Sequence, residues 1–134
     1  MKLIYNKYLP PGNFHGINLF GIVFVQRRWG RFNDYQVNHE GIHTLQQVEM
    51  LFVFFYVWYL VEYVVRLFLC RFDTDWAYRS ISFEQEAYAN EHNLDYRRHR
   101  RFYAWTHYLT SAAKQQKRPT KRPKHPQRRK EMGE

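Results

Sequence analysis

Cysteine is nearly missing from this sequence: Cys70 stands alone among 134 residues. A disulfide within the chain and a metal site made of cysteines only are both excluded. The N-terminus, Met1-Lys2-Leu3-Ile4-Tyr5, lacks the uninterrupted apolar run of a secretory signal and reaches Pro10-Pro11-Gly12 almost at once. Export by a cleaved leader is therefore not expected. At the other end it is acid and apolar side chains that are scarce. Nine of the 21 Lys and Arg lie within Lys114 to Glu134, opposed only by Glu131 and Glu134, so this stretch carries +7 of the net +9. With no apolar residue able to support a core and with prolines that block helix, 113–134 reads as a disordered basic tail. What remains, 1–112, is near neutral and long enough for one small domain.

Aromatic residues, by contrast, make up 19% of the chain and cluster in one apolar run, Leu51 to Cys70, in which only Glu62 and Arg66 are charged. Its length and hydropathy make it a transmembrane candidate, and Glu62 and Arg66, four apart, can pair. Ahead of it, the β-branched and aromatic run Ile17 to Gln26 reads as a strand pairing with the segment around Lys2 to Tyr8. Asn33 or Asp34 can cap a helix starting near Tyr35. Beyond the charged turn at Arg71–Arg79, Ser82 is an N-cap candidate for a further helix running to about Arg100 or on towards Tyr108. The fold class expected is mainly α with a short N-terminal β-hairpin.

The helix near Tyr35 carries Asn38-His39-Glu40-Gly41-Ile42-His43-Thr44-Leu45-Gln46-Gln47. Residues four apart share a helix face, so His39 and His43 can present two imidazole nitrogens to one metal ion, ideally Zn2+. Glu40, about 100° around the axis, can reach a water at that metal without ligating it. At this composition the pattern His-Glu-x-x-His arises by chance about 2% of the time. A catalytic zinc site needs a third protein ligand, and the downstream candidates are Glu84, Glu86, Glu91 and His92, with His107 more distant. This need constrains the apolar run. A straight span over 51–70 would put everything after it about 30 Å from the histidines. A straight span and a downstream ligand exclude each other, so a bent or interfacial segment is expected.

Glu84-Gln85-Glu86-Ala87-Tyr88 completes a resemblance to the gluzincin class of zinc metallopeptidases, in which His-Glu-x-x-His is followed by a second helix bearing Glu-x-x-Ala. The resemblance covers these two helices only. It implies His39, His43 and Glu84 as zinc ligands and Glu40 as general base. Tyr88 departs from it, standing where the class has an Asp that supports a ligand histidine, so another group must orient that ring. The register starting at Glu86 is also permitted by spacing; Glu84 and Glu86 lie about 200° apart on a helix, so only one can face the metal. Tyr103 and His107, four apart, are candidate donors to an oxyanion.

These features set the expectations. The leading one is a membrane-associated zinc metallohydrolase acting on peptides or proteins, with its catalytic side and tail cytoplasmic. Its apolar segment would contact lipid and its tail anionic headgroups. The alternative is a non-catalytic, membrane-anchored metal-binding or interaction module with a polybasic tail. Nucleic acid is not an expected partner, since Arg97, Arg98, Arg100 and Arg101 with the tail form no known reader motif.

Overall fold

The computed structural model describes residues 1–109; the basic tail lies outside the described residues. The described chain is mainly helical, with a small mixed sheet at its N-terminus. Strands β1 (Lys2–Asn6), β2 (Gly16–Leu19) and β3 (Ile22–Gln26) form a sheet in the order β1-β3-β2. β1 runs parallel to β3, with Leu3 opposite Val23, and β2 runs antiparallel to it, with Ile17 opposite Phe24.

The single strand expected over 17–26 is thus a hairpin. Phe20 and Gly21 both take positive φ, 54° and 79°, which is the backbone a two-residue hairpin turn requires. Its tip is stitched to the first helix. Gln47 accepts a hydrogen bond from Gly21 N–H at 3.1 Å and donates to Asn18 C=O at 3.2 Å, while the Asn18 amide donates to Glu40 C=O and Thr44 Oγ1.

Helix α1 (Asp34–Glu49) opens on a capping box: Asn33 Oδ1 accepts from Gln36 N–H and Gln36 Oε1 from Asn33 N–H, each at 2.9 Å. It stops at Met50, where Leu51 and Phe52 both take left-handed φ. The chain then turns by 112° into α2 (Val53–Leu69). The apolar stretch is accordingly one 17-residue helix with its bends outside it. Among the described residues no single helix is long and apolar enough to cross a membrane. Arg71 and Phe72, also at positive φ, make the second reversal. Asp73 caps α3 (Thr74–Ser80) by accepting from Trp76 N–H, and α4 (Ser82–Asn90) follows directly.

Two polar clusters lock these elements. Glu62 and Arg66 do pair, at 3.3 Å, but they face inward. The Glu62 carboxylate takes Ser82 N–H at 2.8 Å and the Ser82 hydroxyl at 2.6 Å, satisfying the exposed amide end of α4, and Arg66 donates to Leu109 C=O. Ser82 is therefore the first residue of its helix, not its cap. Around this pair Phe55, Ile81, Phe83 and Trp105 form the hydrophobic core.

The second cluster replaces the long helix expected to run on to Arg100. α4 ends at Asn90, because Asn38 of α1 donates its amide to the carbonyls of Asn90, Glu91 and Asn93. A short α5 (Tyr96–His99) leads to Arg100, whose guanidinium is buried between Glu49, at 2.8 and 2.9 Å, and Glu86. Arg100→Ala would leave two buried carboxylates unpaired, which costs about 3–5 kcal/mol. Thermal denaturation should show that loss; an unchanged midpoint would mean that the cluster does not hold the C-terminal segment.

Candidate metal centre

His39 and His43 sit one turn apart on the buried side of α1, and α4 brings Glu84 across from them. His39 Nε2 and His43 Nε2 are 3.1 Å apart, and each lies 3.3 Å from a Glu84 carboxylate oxygen. Ligands around a tetrahedral ion with bonds of about 2.0–2.1 Å stand about 3.3 Å from one another, and in this triangle of two imidazoles and one carboxylate each Nε2 meets its own oxygen of Glu84 at that distance. This buried group can hold a metal ion.

The outer nitrogens give the same reading. His39 Nδ1 meets Glu91 Oε2 at 2.8 Å, and His43 Nδ1 meets Gln46 Oε1 at 2.8 Å. Both acceptors are oxygens, so each Nδ1 is the protonated nitrogen, and the two Nε2 lone pairs point at each other and at a carboxylate. Such an arrangement needs a positive charge in its middle. In the metal-free protein a proton supplies it. Burial opposes a charge on His39, but hydrogen bonds to Glu84 and Glu91 and the field of Glu84 and Glu40 outweigh it and push its pKa up to about 10. His43 is raised likewise, burial again being outweighed by Glu84. Burial would raise Glu84, yet His43 and His39 hold it well below the usual carboxylate range.

Metal uptake follows from this. At neutral pH the metal-free site carries a proton on His39 that a metal must displace. A group protonated in the free form and neutral in the bound form makes affinity rise with pH until pH passes about 10. Calorimetry in buffers of different ionisation heat should therefore show proton release at pH 7; uptake without release would contradict the assignment.

The groups around the triangle give Tyr88, Gln46 and Gln47 a role, and turn Glu91 from a candidate ligand into the partner of His39 Nδ1. Tyr88 packs its ring edge-on against His39, with centroids 4.6 Å apart, and leaves the hydrogen bond to Glu91. Glu91 closes α4 with helical backbone, seven residues on from Glu84, so helical spacing puts it on the same face as Glu84 and about two turns along from it. Gln46, fully buried, orients His43 and is itself fixed by donating to Phe83 C=O and Glu86 Oε2. Gln47, beside it, anchors the hairpin. Tyr59 donates to Glu84 Oε1 at 2.9 Å. Replacing Glu91 by Gln or Gln46 by Leu should weaken metal binding about 10–100-fold, read by competition with a chelating dye.

Glu86 stands apart from the triangle. Its carboxylate is taken by Arg100, Gln46 and Tyr96. Nor do Tyr103 and His107 join the site. Tyr103 donates its hydroxyl to Glu49 C=O, and neither residue lines the cleft in front of the triangle. This cleft, about 420 Å³, is bounded by Glu40, His43 and Glu84 at its inner end and by Pro10, Phe14, Ile17, Leu19, Phe55 and Tyr56 along its walls. Glu40 is half-buried there, and burial, opposed by the two imidazoles, raises its pKa. Tyr78, on the same wall, is a hydroxyl the sequence did not single out; burial and the nearby Glu84 hold it protonated. Searches against models of protein families, curated proteins and solved structures find no match for this chain.

Proposed function

We propose that the chain is a zinc hydrolase acting on peptide bonds. The observation that carries this reading is the triangle of two Nε2 atoms and a carboxylate at the inner end of a cleft that Glu40 also lines. Two imidazoles and one carboxylate are a donor set suited to Zn2+, and with three protein ligands a fourth position is left open. Zinc held there supplies a Lewis acid and makes water acidic enough to be a nucleophile near neutral pH.

The other steps belong to the chain itself. Glu40 reaches into the cleft without being one of the converging ligands, so its carboxylate is placed to take a proton from water and hand it to the leaving amine. Tyr78, which lines the cleft together with Glu84 and keeps its proton, is a better candidate than Tyr103 or His107 to donate to oxygen as negative charge builds there. Strand β2, one of the two edge strands of the sheet, forms one wall, and such an edge can hold an extended chain by main-chain pairing. Peptides fit that wall better than compact substrates.

The direct test is hydrolysis of a fluorogenic peptide mixture by zinc-loaded, chelated and zinc-restored protein. Activity lost on chelation and regained with zinc supports the reading. Equal rates in all three samples would refute it.

A further inference from the structure

Helix α2 turns its charges in and its apolar side chains out. Glu62 and Arg66 are buried, whereas Val53, Val57, Leu60, Val61, Val64 and Phe68 each leave 42–65% of their surface exposed. These six fall on one face at about 100° per residue, opposite Phe55 and Tyr59, and extend along a helix of about 25 Å. A face of this kind is unstable in water. The stretch Thr110 to Glu134 has no apolar face to lay against it, with only Ala112, Ala113 and Met132 as apolar side chains beside its prolines.

Charge decides between a second copy and a lipid surface. Two copies would each bring a net charge of +9, whereas nine Lys and Arg after residue 113 attract anionic headgroups by about 1 kcal/mol each near the surface. Arg71 is exposed at the C-terminal end of α2, next to Phe72. Since Glu62 and Arg66 fasten the inner side of α2 to Ser82 and Leu109, the helix can meet lipid along one side only.

The cleft opens beside this face. Tyr56 lines the cleft and stands on the flank of α2 next to Leu60 and Val53. Its ring touches Phe20, at 5.2 Å between centroids, and Phe20 in turn touches Phe52 at 5.7 Å. Phe14, Ile17 and Leu19, at the rim, are 36–62% exposed. We propose that α2 lies in the surface of an anionic lipid bilayer along its outer face, so that the cleft opens at the lipid boundary and admits apolar chain segments held in that bilayer. That such a segment is then cleaved rests on the hydrolase reading; the seating and the admission do not.

The experiment uses the full chain, zinc-loaded, with Cys70→Ser and single cysteines at Val61, Leu19 or Asp95 carrying an environment-sensitive fluorophore, and vesicles of phosphatidylcholine and phosphatidylglycerol. Labels at 61 and 19 should shift to the blue and lose emission to a lipid-borne nitroxide, while the label at 95, beside α5, should respond to aqueous iodide only. Val57→Asp combined with Val61→Asp and Val64→Asp should abolish sedimentation with vesicles while leaving zinc content unchanged. A benzophenone at position 19 should capture a leucine-rich membrane peptide in preference to a serine-rich soluble one. Protein that stays in the aqueous phase, a label at 19 open to iodide on vesicles, or equal capture of the two peptides would overturn the proposal. None of these readouts requires turnover, so a chain that cleaves nothing would refute the hydrolase reading and leave this one standing.

Discussion

Glu40→Gln is expected to leave one metal ion per chain and to lower hydrolysis roughly a hundred- to ten-thousand-fold, the range a positioned acid–base group contributes. The substitution keeps the shape of the side chain and removes its ability to carry a proton. Glu40 lines the cleft but is not one of the three groups whose ligand atoms converge, so metal affinity has no reason to fall. Asn18 donates to Glu40 C=O, which the substitution keeps, and its hydrogen bond to the Glu40 side chain can pass to the Gln carbonyl, so the hairpin stays in place. Metal content and turnover measured on the same sample separate the two roles. Turnover that survives would mean that the residue is not the base, and metal lost with it would place Glu40 among the ligands.

The second large effect distinguishes two carboxylates that the sequence sets two residues apart. Glu84→Ala should lower metal affinity by more than the roughly 10–100-fold typical of supporting groups, because it removes one corner of the triangle. The fold should survive, with Tyr59 losing one hydrogen bond. Glu86→Ala should do the reverse. Its carboxylate is fully buried against Arg100, so its loss leaves a guanidinium with only Glu49 and unfastens the segment after α5. Circular dichroism and metal titration on the pair give a crossed result: one variant folded and metal-poor, the other destabilised. Identical behaviour of the two would dissolve the distinction between ligand and structural carboxylate.

The sequence makes legible what depends on local periodicity and on side-chain chemistry. Two histidines four apart share a face on any helix, and Asn33 with Gln36 caps α1 by contacts three residues long. The pairing of Glu62 with Arg66 is of the same local kind. The bends are not legible. Leu51, Phe52, Arg71 and Phe72 take left-handed φ without being glycine, so no residue type announces the reversals that fold α2 back and bring Glu84 to the histidines. Gly21 was the available signal for the hairpin inside 17–26. The end of α4 is set from a distance by Asn38, whereas Glu91, about two turns on from Glu84 on the same helix face, is placed beside His39 by spacing that the sequence does show. Helical spacing of Tyr103 and His107 misled for the same reason, because the chain there is a left-handed residue and a 3-10 turn, not a continued helix.

The most direct measurement is zinc-edge X-ray absorption, with metal content per chain, on wild type and His39→Ala after zinc loading and dialysis. One zinc per chain is expected in the wild type, bound by two imidazole nitrogens and at least one carboxylate oxygen, and none in the variant. No zinc in the wild type, or the same zinc spectrum in both proteins, would contradict this expectation.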